Sequence, residues 1–164
     1  MVDYNLENLC MLVVDDNQHM RKLVKNILHS LGVKEVVEAA DGSDALKELK
    51  ARPIDLLITD WIMEPLDGVE LVRMIRTGSD SENPFIPIIM LTGHTEQKRV
   101  IEARDVGINE FLAKPISAKS VYSRVKSVIE DGRSFVRTSA FFGPDRRRRA
   151  MEFPGPDRRG AAED

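Results

Sequence analysis

Three aspartates, a threonine and a lysine sit at the ends of short apolar runs, and their types and spacing could do chemistry. Asp15 and Asp16 follow Cys10-Met11-Leu12-Val13-Val14. Asp60 follows Ile54-Asp55-Leu56-Leu57-Ile58-Thr59, and Thr92 follows Ile86-Pro87-Ile88-Ile89-Met90-Leu91. Lys114, with Pro115 after it, follows Glu110 to Ala113. Three carboxylates brought to one place repel each other and invite a hard divalent cation, with Mg²⁺ the natural choice for a small oxygen site. A lysine and a hydroxyl beside the metal would hold further anionic oxygens. Asp60 could then accept a phosphoryl group as an acyl phosphate, with metal, Lys114 and Thr92 sharing its oxygens. Taken singly, each residue has a plainer reading. The acids could be solvated loop charges, Thr92 a helix N-cap, and Lys114 an exposed strand-end charge.

The apolar runs are the elements that must position this set. Val33 to Ala39 is a weaker strand candidate, as is Glu110 to Ala113. Amphipathic stretches lie between the strands. Met20, Leu23, Val24, Ile27, Leu28 and Leu31 form one apolar face, closed by Gly32. Ser43 to Ala51, Asp67 to Thr77 and Thr95 to Val106 are the next helices. Ser117 to Ile129 is the last, with Val121, Val125, Val128 and Ile129 inward. Five strand-helix units in alternation predict an α/β fold, a parallel sheet with helices on both faces. Such sheets place their sites at the carboxyl ends of the strands.

In Leu12-Val13-Val14-Asp15-Asp16, Leu57-Ile58-Thr59-Asp60-Trp61, Leu91-Thr92-Gly93 and Phe111-Leu112-Ala113-Lys114-Pro115, residues 8–131 resemble the receiver domains of two-component response regulators. That is the CheY-like family, with a flavodoxin-like (βα)5 fold. The resemblance implies a phosphoacceptor at Asp60 and metal ligands at Asp15 and Asp16. Asp60 and the carbonyl of Ile62 would complete the protein ligands. It further implies that Thr92 and Lys114 bind the phosphoryl group and that Phe111 is the aromatic switch. Three departures stand out. Proline comes one step late in Met63-Glu64-Pro65, Gly93 stands where alanine is common, and Phe111 lacks a hydroxyl, so a switch there works by packing alone. None removes a required chemical group. Trp61, beside Asp60, should report metal or phosphoryl binding by fluorescence.

Beyond the helical pattern the composition changes. The chain of 164 residues has a net charge of -3, but residues 133–164 hold eight arginines against five acids. A tail of +3 is therefore carried by a body of -6, a division that suggests an anionic partner. Residues 1–132 read as one domain and 133–164 as an appendage. Phe141-Phe142-Gly143-Pro144-Asp145-Arg146-Arg147 returns twelve positions later as Phe153-Pro154-Gly155-Pro156-Asp157-Arg158-Arg159. A repeat suggests two equivalent grips. Arginine can fork onto guanine O6 and N7 or lie flat on the ring, and a carboxylate can accept from guanine N1–H and N2–H. Residues 134–142 could extend or follow the last helix, and disorder is expected beyond Gly143. Cys10 is a lone cysteine, which fits a reducing cytoplasm. His19 and His29 have no metal-ligand partners in the pattern, and His94 near the rim reads as a helix-start histidine.

A CheY-like domain ending in duplicated Gly-Pro-Asp-Arg-Arg resembles a narrower group, the CheY-like cyclic di-GMP effectors with an arginine-rich extension (Cle-type). That resemblance implies that the tail binds cyclic di-GMP and that the receiver docks the flagellar motor switch or another partner. The residues suit the ligand. Arg146, Arg147, Arg158 and Arg159 can stack on purines or chelate their Hoogsteen edges. Asp145 and Asp157 can take Watson–Crick edges, and Arg148 and Arg149 can reach phosphates. Pro144 and Pro156 hold the neighbouring residues in turns. The competing expectation is a conventional receiver that takes its phosphoryl group from a sensor histidine kinase or phosphotransferase. Its tail would be incidental or a nucleic-acid patch, recognisable by steep salt dependence without guanine preference. On either reading the chain is no enzyme beyond self-phosphorylation and dephosphorylation at Asp60. No segment reaches the roughly 20 apolar residues that span a bilayer, so membrane insertion is not expected.

Overall fold

The computed structural model describes residues 5–78, 81, 83–93 and 104–130, together with the backbone at 135–137 and 142–144. The strands are β1 (Cys10–Val14), β2 (Glu35–Ala39), β3 (Leu56–Asp60), β4 (Ile88–Thr92) and β5 (Glu110–Ala113). They form one parallel sheet in the order β2-β1-β3-β4-β5. The helices are α1 (Gln18–Ser30), α2 (Gly42–Ala51), α3 (Gly68–Thr77) and α4 (Ala118–Glu130). The helix expected over Thr95 to Val106 lies largely outside the described residues. So do His94 and all of 145–164, which include the expected ligand residues Asp145, Arg146, Arg147, Arg148, Arg149, Pro156, Asp157, Arg158 and Arg159.

Strand periodicity divides the core. Met11 and Val13 of β1 face α1 and α4, where Val24, Leu28, Val121 and Val125 cover them. Leu12 and Val14 face the opposite side, with Ala45, Leu71, Val72 and Ile75 of α2 and α3. Two buried faces explain the unbroken apolar runs in place of alternation. Two side chains depart from expectation. Leu23 and Ile129 are exposed at 44% and 38%. Each adjoins a buried residue, Val24 or Val128, and one residue of helix turns the side chain about 100° off the core stripe.

Local signals set the helix boundaries. Asn17 and Asp41 accept from the Met20 and Asp44 amides, and Asp67 and Glu70 form a reciprocal capping box. Gly32 ends the first helical segment at φ +105°, a left-handed conformation that only glycine adopts without strain.

Arg76 is the buried charge that ties α3 to the sheet. At 1% exposure, its Nε donates to the Gly107 carbonyl at 3.0 Å, Nη1 to the Pro84 carbonyl at 2.8 Å and Nη2 to Asn109 Oδ1 at 3.0 Å. Asn109 Oδ1 also accepts from the Ile88 amide at 2.8 Å. One guanidinium thus joins the end of α3 to the entries of β4 and β5. Burial pulls its pKa down to about 9, so it stays charged at neutral pH. Arg76→Met keeps much of the volume but strands these carbonyls. It is expected to cost on the order of 2–3 kcal/mol, read from the urea midpoint.

Beyond α4 the described residues are strand rather than helix. β6 (Phe135–Arg137) and β7 (Phe142–Pro144) pair antiparallel. Cα atoms of β7 come within 8 Å of α3, which packs on the opposite sheet face from α4. Of the two expectations for 134–142, extending or following the last helix, the described residues fit the second. Gly132 lies where the apolar helical spacing stops, and the β-branched and aromatic residues Val136, Phe135 and Phe142 suit strands.

Candidate functional site

The parallel register carries the five chemical residues to one rim. Val14 pairs with Thr59, Asp60 with Leu91, and Thr92 with Ala113. The strands therefore end side by side, with Asp15 and Asp16 just past β1 and Lys114 just past β5. Asp60 and Thr92 are the last residues of β3 and β4 rather than the first beyond them. Carboxylate oxygens of Asp15, Asp16 and Asp60 lie within 4.8 Å of one another. Lys114 Nζ stands 2.9 Å from Asp60 Oδ1, and the same oxygen accepts from the Trp61 amide at 2.9 Å. Asp15, Asp60 and Thr92 are buried, whereas Asp16 is exposed. Ile62 lies two residues past Asp60 with its side chain 55% exposed.

Asp15 carries the decisive detail. Its Oδ1 accepts from the Asn17 amide at 2.9 Å, while Oδ2 is buried without a hydrogen-bond partner among the described residues. A buried carboxylate oxygen left unpaired is costly, unless a cation takes it up. The oxygen-only donor set fits Mg²⁺.

Burial pushes the Asp15 carboxyl up to about 6, and the charges on Asp60 and Asp16 add to the rise; the Asn17 amide and Lys114 oppose it. A carboxyl that binds its proton more tightly when folded favours the folded state at low pH. That contribution is complete below the unfolded value of 3.8 and is lost as the pH rises through about 6. In chelator-treated protein, Asp15→Asn is therefore expected to stabilise at pH 7 by on the order of 2 kcal/mol and to change little at pH 4. Mg²⁺ should reverse the ranking at pH 7, because it stabilises only the form that binds it. Urea unfolding at the two pH values, with and without Mg²⁺, reads both effects.

Three supporting residues escaped the sequence reading. Arg21 on α1 donates from Nη1 to the Asp15 carbonyl at 2.8 Å and from Nε to Glu38 at 3.0 Å. It braces the acidic loop against β2. Gly68 starts α3 so close to β3 that a Cβ would collide with the Asp60 carbonyl and approach Met90 Cε at 2.9 Å. Arg76 fixes the far end of that helix. An arginine five residues past an acid pair, or a glycine after a capping aspartate, is too common a pattern to mark such roles in advance.

Phe111 is half-buried against the α2–α3 side of the core. Its ring centroid lies 6.4 Å from that of Trp61, tilted by 37°, within the range of a favourable aromatic pair. Trp61 itself is 1% exposed. Asp60 and the aromatic position are thus linked through one ring.

Residues 11–126 match the response regulator receiver domain family. The chain belongs to that family. Receiver domains bind Mg²⁺ at an acidic site, and Asp15, Asp16 and Asp60 form an acidic cluster of oxygen donors in this chain. Receivers are signalling proteins rather than classical enzymes. Chemotaxis protein CheY-3 of Vibrio cholerae serotype O1 is 36% identical over 124 residues, 76% of this chain and 94% of the relative. Chemotaxis protein CheY of Pseudomonas aeruginosa is 34% identical over 119 residues, covering 73% and 94% of the two chains. The structure of Vibrio cholerae chemotaxis protein CheY4 superposes with a TM-score of 0.66 at 32% identity, covering 73% and 98%. A putative response regulator from Chloroflexus aurantiacus gives 0.68 at 29% identity, covering 75% and 98%. The arginine-rich tail lies beyond the family match. Among the described residues, no helix of the receiver is long and apolar enough to cross a membrane.

Proposed function

We propose that this receiver is a response regulator that reads cyclic di-GMP through its tail and docks a partner such as the flagellar motor switch. The observation that carries the reading is the duplicated Gly-Pro-Asp-Arg-Arg unit at 143–147 and 155–159. Two guanines in one ligand ask for two copies of a planar cation beside a carboxylate. A peptide that orders around the ligand loses chain entropy, which suits reversible sensing. The receiver, residues 1–132, presents the docking surface, with β5 and α4 as its described parts. The tail, 133–164, carries the ligand. Titrating cyclic di-GMP calorimetrically into the full chain and into a chain ending at residue 132 tests the assignment. Heat is expected only from the full chain. Equal heats would move the ligand to the receiver and overturn the reading.

Asp60 keeps a second input in play, because its carboxylate is held in place by Lys114 and the Trp61 amide. An Asp60 oxygen would attack the phosphorus of a phosphodonor, the donor's leaving group would depart, and an acyl phosphate would remain. Lys114 and Thr92 would take phosphoryl oxygens. Asp15, Asp16, Asp60 and the Ile62 carbonyl would hold Mg²⁺, which would supply charge neutralisation there. The donor would be a sensor histidine kinase or phosphotransferase, and Phe111 would relay the change by packing against Trp61.

A further inference from the structure

Between α2 and α3 lies a cleft of about 320 Å³ that plays no part in the site described above. Leu46 and Leu49 of α2 and Met74 and Ile75 of α3 supply its apolar wall, and Lys50 and Arg73 stand among the lining residues. Met74 is 46% exposed. The volume is at the small end of ligand-sized clefts, which suits two or three side chains from a short extended segment better than a docked helix.

The chain brings its own candidate to this place. β7 ends at Pro144 beside α3, and residues 145–164 follow. In that stretch the large apolar residues are Met151 and Phe153, with Glu152 between them. They lie seven and nine residues past Pro144, a reach of up to about 30 Å when extended. An apolar-acid-apolar triplet matches an apolar cleft with two basic residues in its lining. Tethering also raises the local concentration of the segment to the order of millimolar, well above that of a free competitor.

We propose that the α2–α3 cleft is the seat of Met151-Glu152-Phe153 from the same chain, an intramolecular contact that goes beyond the proposed nucleotide binding and does not depend on it. The triplet lies between the two Asp-Arg-Arg units, so its docking holds one unit to either side of α3.

Methyl NMR on the full chain without nucleotide tests the contact. In Met151→Ala/Phe153→Ala, the Met74 ε-methyl and the Leu46 and Leu49 methyls are expected to shift, with methyls of α1 and α4 unchanged and the shifts independent of protein concentration. Met74→Lys, an exposed substitution, is expected to make trypsin cut the tail at Arg146 to Arg149 several-fold faster, because the released segment is open more of the time. Coincident cleft methyls in the wild type and the double variant would overturn the proposal. So would shifts that grow with concentration, which would mark a second copy as the occupant, or shifts confined to β5 and α4. Unchanged tryptic rates in Met74→Lys would overturn it as well.

Discussion

Asp60→Asn is expected to abolish formation of an acid-stable, base-labile acyl phosphate when the protein is incubated with Mg²⁺ and a small phosphodonor. The carboxamide is nearly isosteric, so the rim keeps its shape, but it lacks the anionic oxygen that attacks phosphorus. A loss on the order of 1,000-fold or more in the phosphorylation rate follows from removing the nucleophile itself. Lys114→Ala probes a different contribution. Lys114 Nζ sits 2.9 Å from Asp60 Oδ1, so its removal should leave the nucleophile in place. It withdraws charge stabilisation from the phosphoryl oxygens, an effect of about 100-fold by analogy with other preorganised charge donors. Radiolabel incorporation measures both. Trp61, buried beside Asp60, supplies an independent fluorescence signal for Mg²⁺ entry. A variant that still quenches with Mg²⁺ but takes no label has lost chemistry and kept its metal. Undiminished labelling of Asp60→Asn would place the phosphoacceptor elsewhere.

The second large effect concerns the tail. Arg146→Ala/Arg158→Ala removes the corresponding arginine from both units, and Asp145→Ala/Asp157→Ala removes the carboxylate from both. If each arginine forks onto or stacks on a guanine, each is worth about 1–3 kcal/mol. The arginine pair together should then weaken cyclic di-GMP by on the order of 100-fold or more. The aspartate pair should act similarly through the guanine Watson–Crick edge. Titration calorimetry at two salt concentrations separates this from simple polyanion binding. Contacts to phosphate alone produce a steep salt slope and little preference for guanine. Unchanged affinity in both double variants would remove the proposed guanine contacts. Asp60→Asn is expected to bind the nucleotide like the wild type, because the proposed guanine contacts all come from the repeat and none involves Asp60. The two experiments therefore report on separate inputs.

Much of the site was legible before any fold was known, and for a definite reason. In a parallel sheet every strand runs the same way, so residues at the ends of separate strands must meet at one edge. Asp15, Asp60, Thr92 and Lys114 are recognisable as strand ends because an apolar run stops at each of them. The doubly covered sheet was legible too, since strands buried on both faces read as continuous apolar segments. The end of the first helix was legible at Gly32, whereas the caps Asn17, Asp41 and Asp67, whose side chains act within three residues of their own position, emerged only with the structure.

What escaped the sequence was decided by contacts between distant residues. The Arg76 side chain meets Gly107 and Asn109 more than 30 positions away, and nothing local distinguishes it from Arg73, which lies at the α2–α3 cleft. Leu23 and Ile129 looked like core residues because both are apolar and helical, but the final packing angle left them one residue outside the stripe. The cleft between α2 and α3 exists only where two helices with separate sequence signals come together. The raised Asp15 pKa likewise depends on burial and on the Asp60 charge brought in by a different strand. Sequence alone therefore determined the identity and order of the chemical groups, because local chemistry sets strand ends. Only the tertiary structure decided their distances, their burial and the affinity of Asp15 for its proton, because those depend on which surfaces exclude water together.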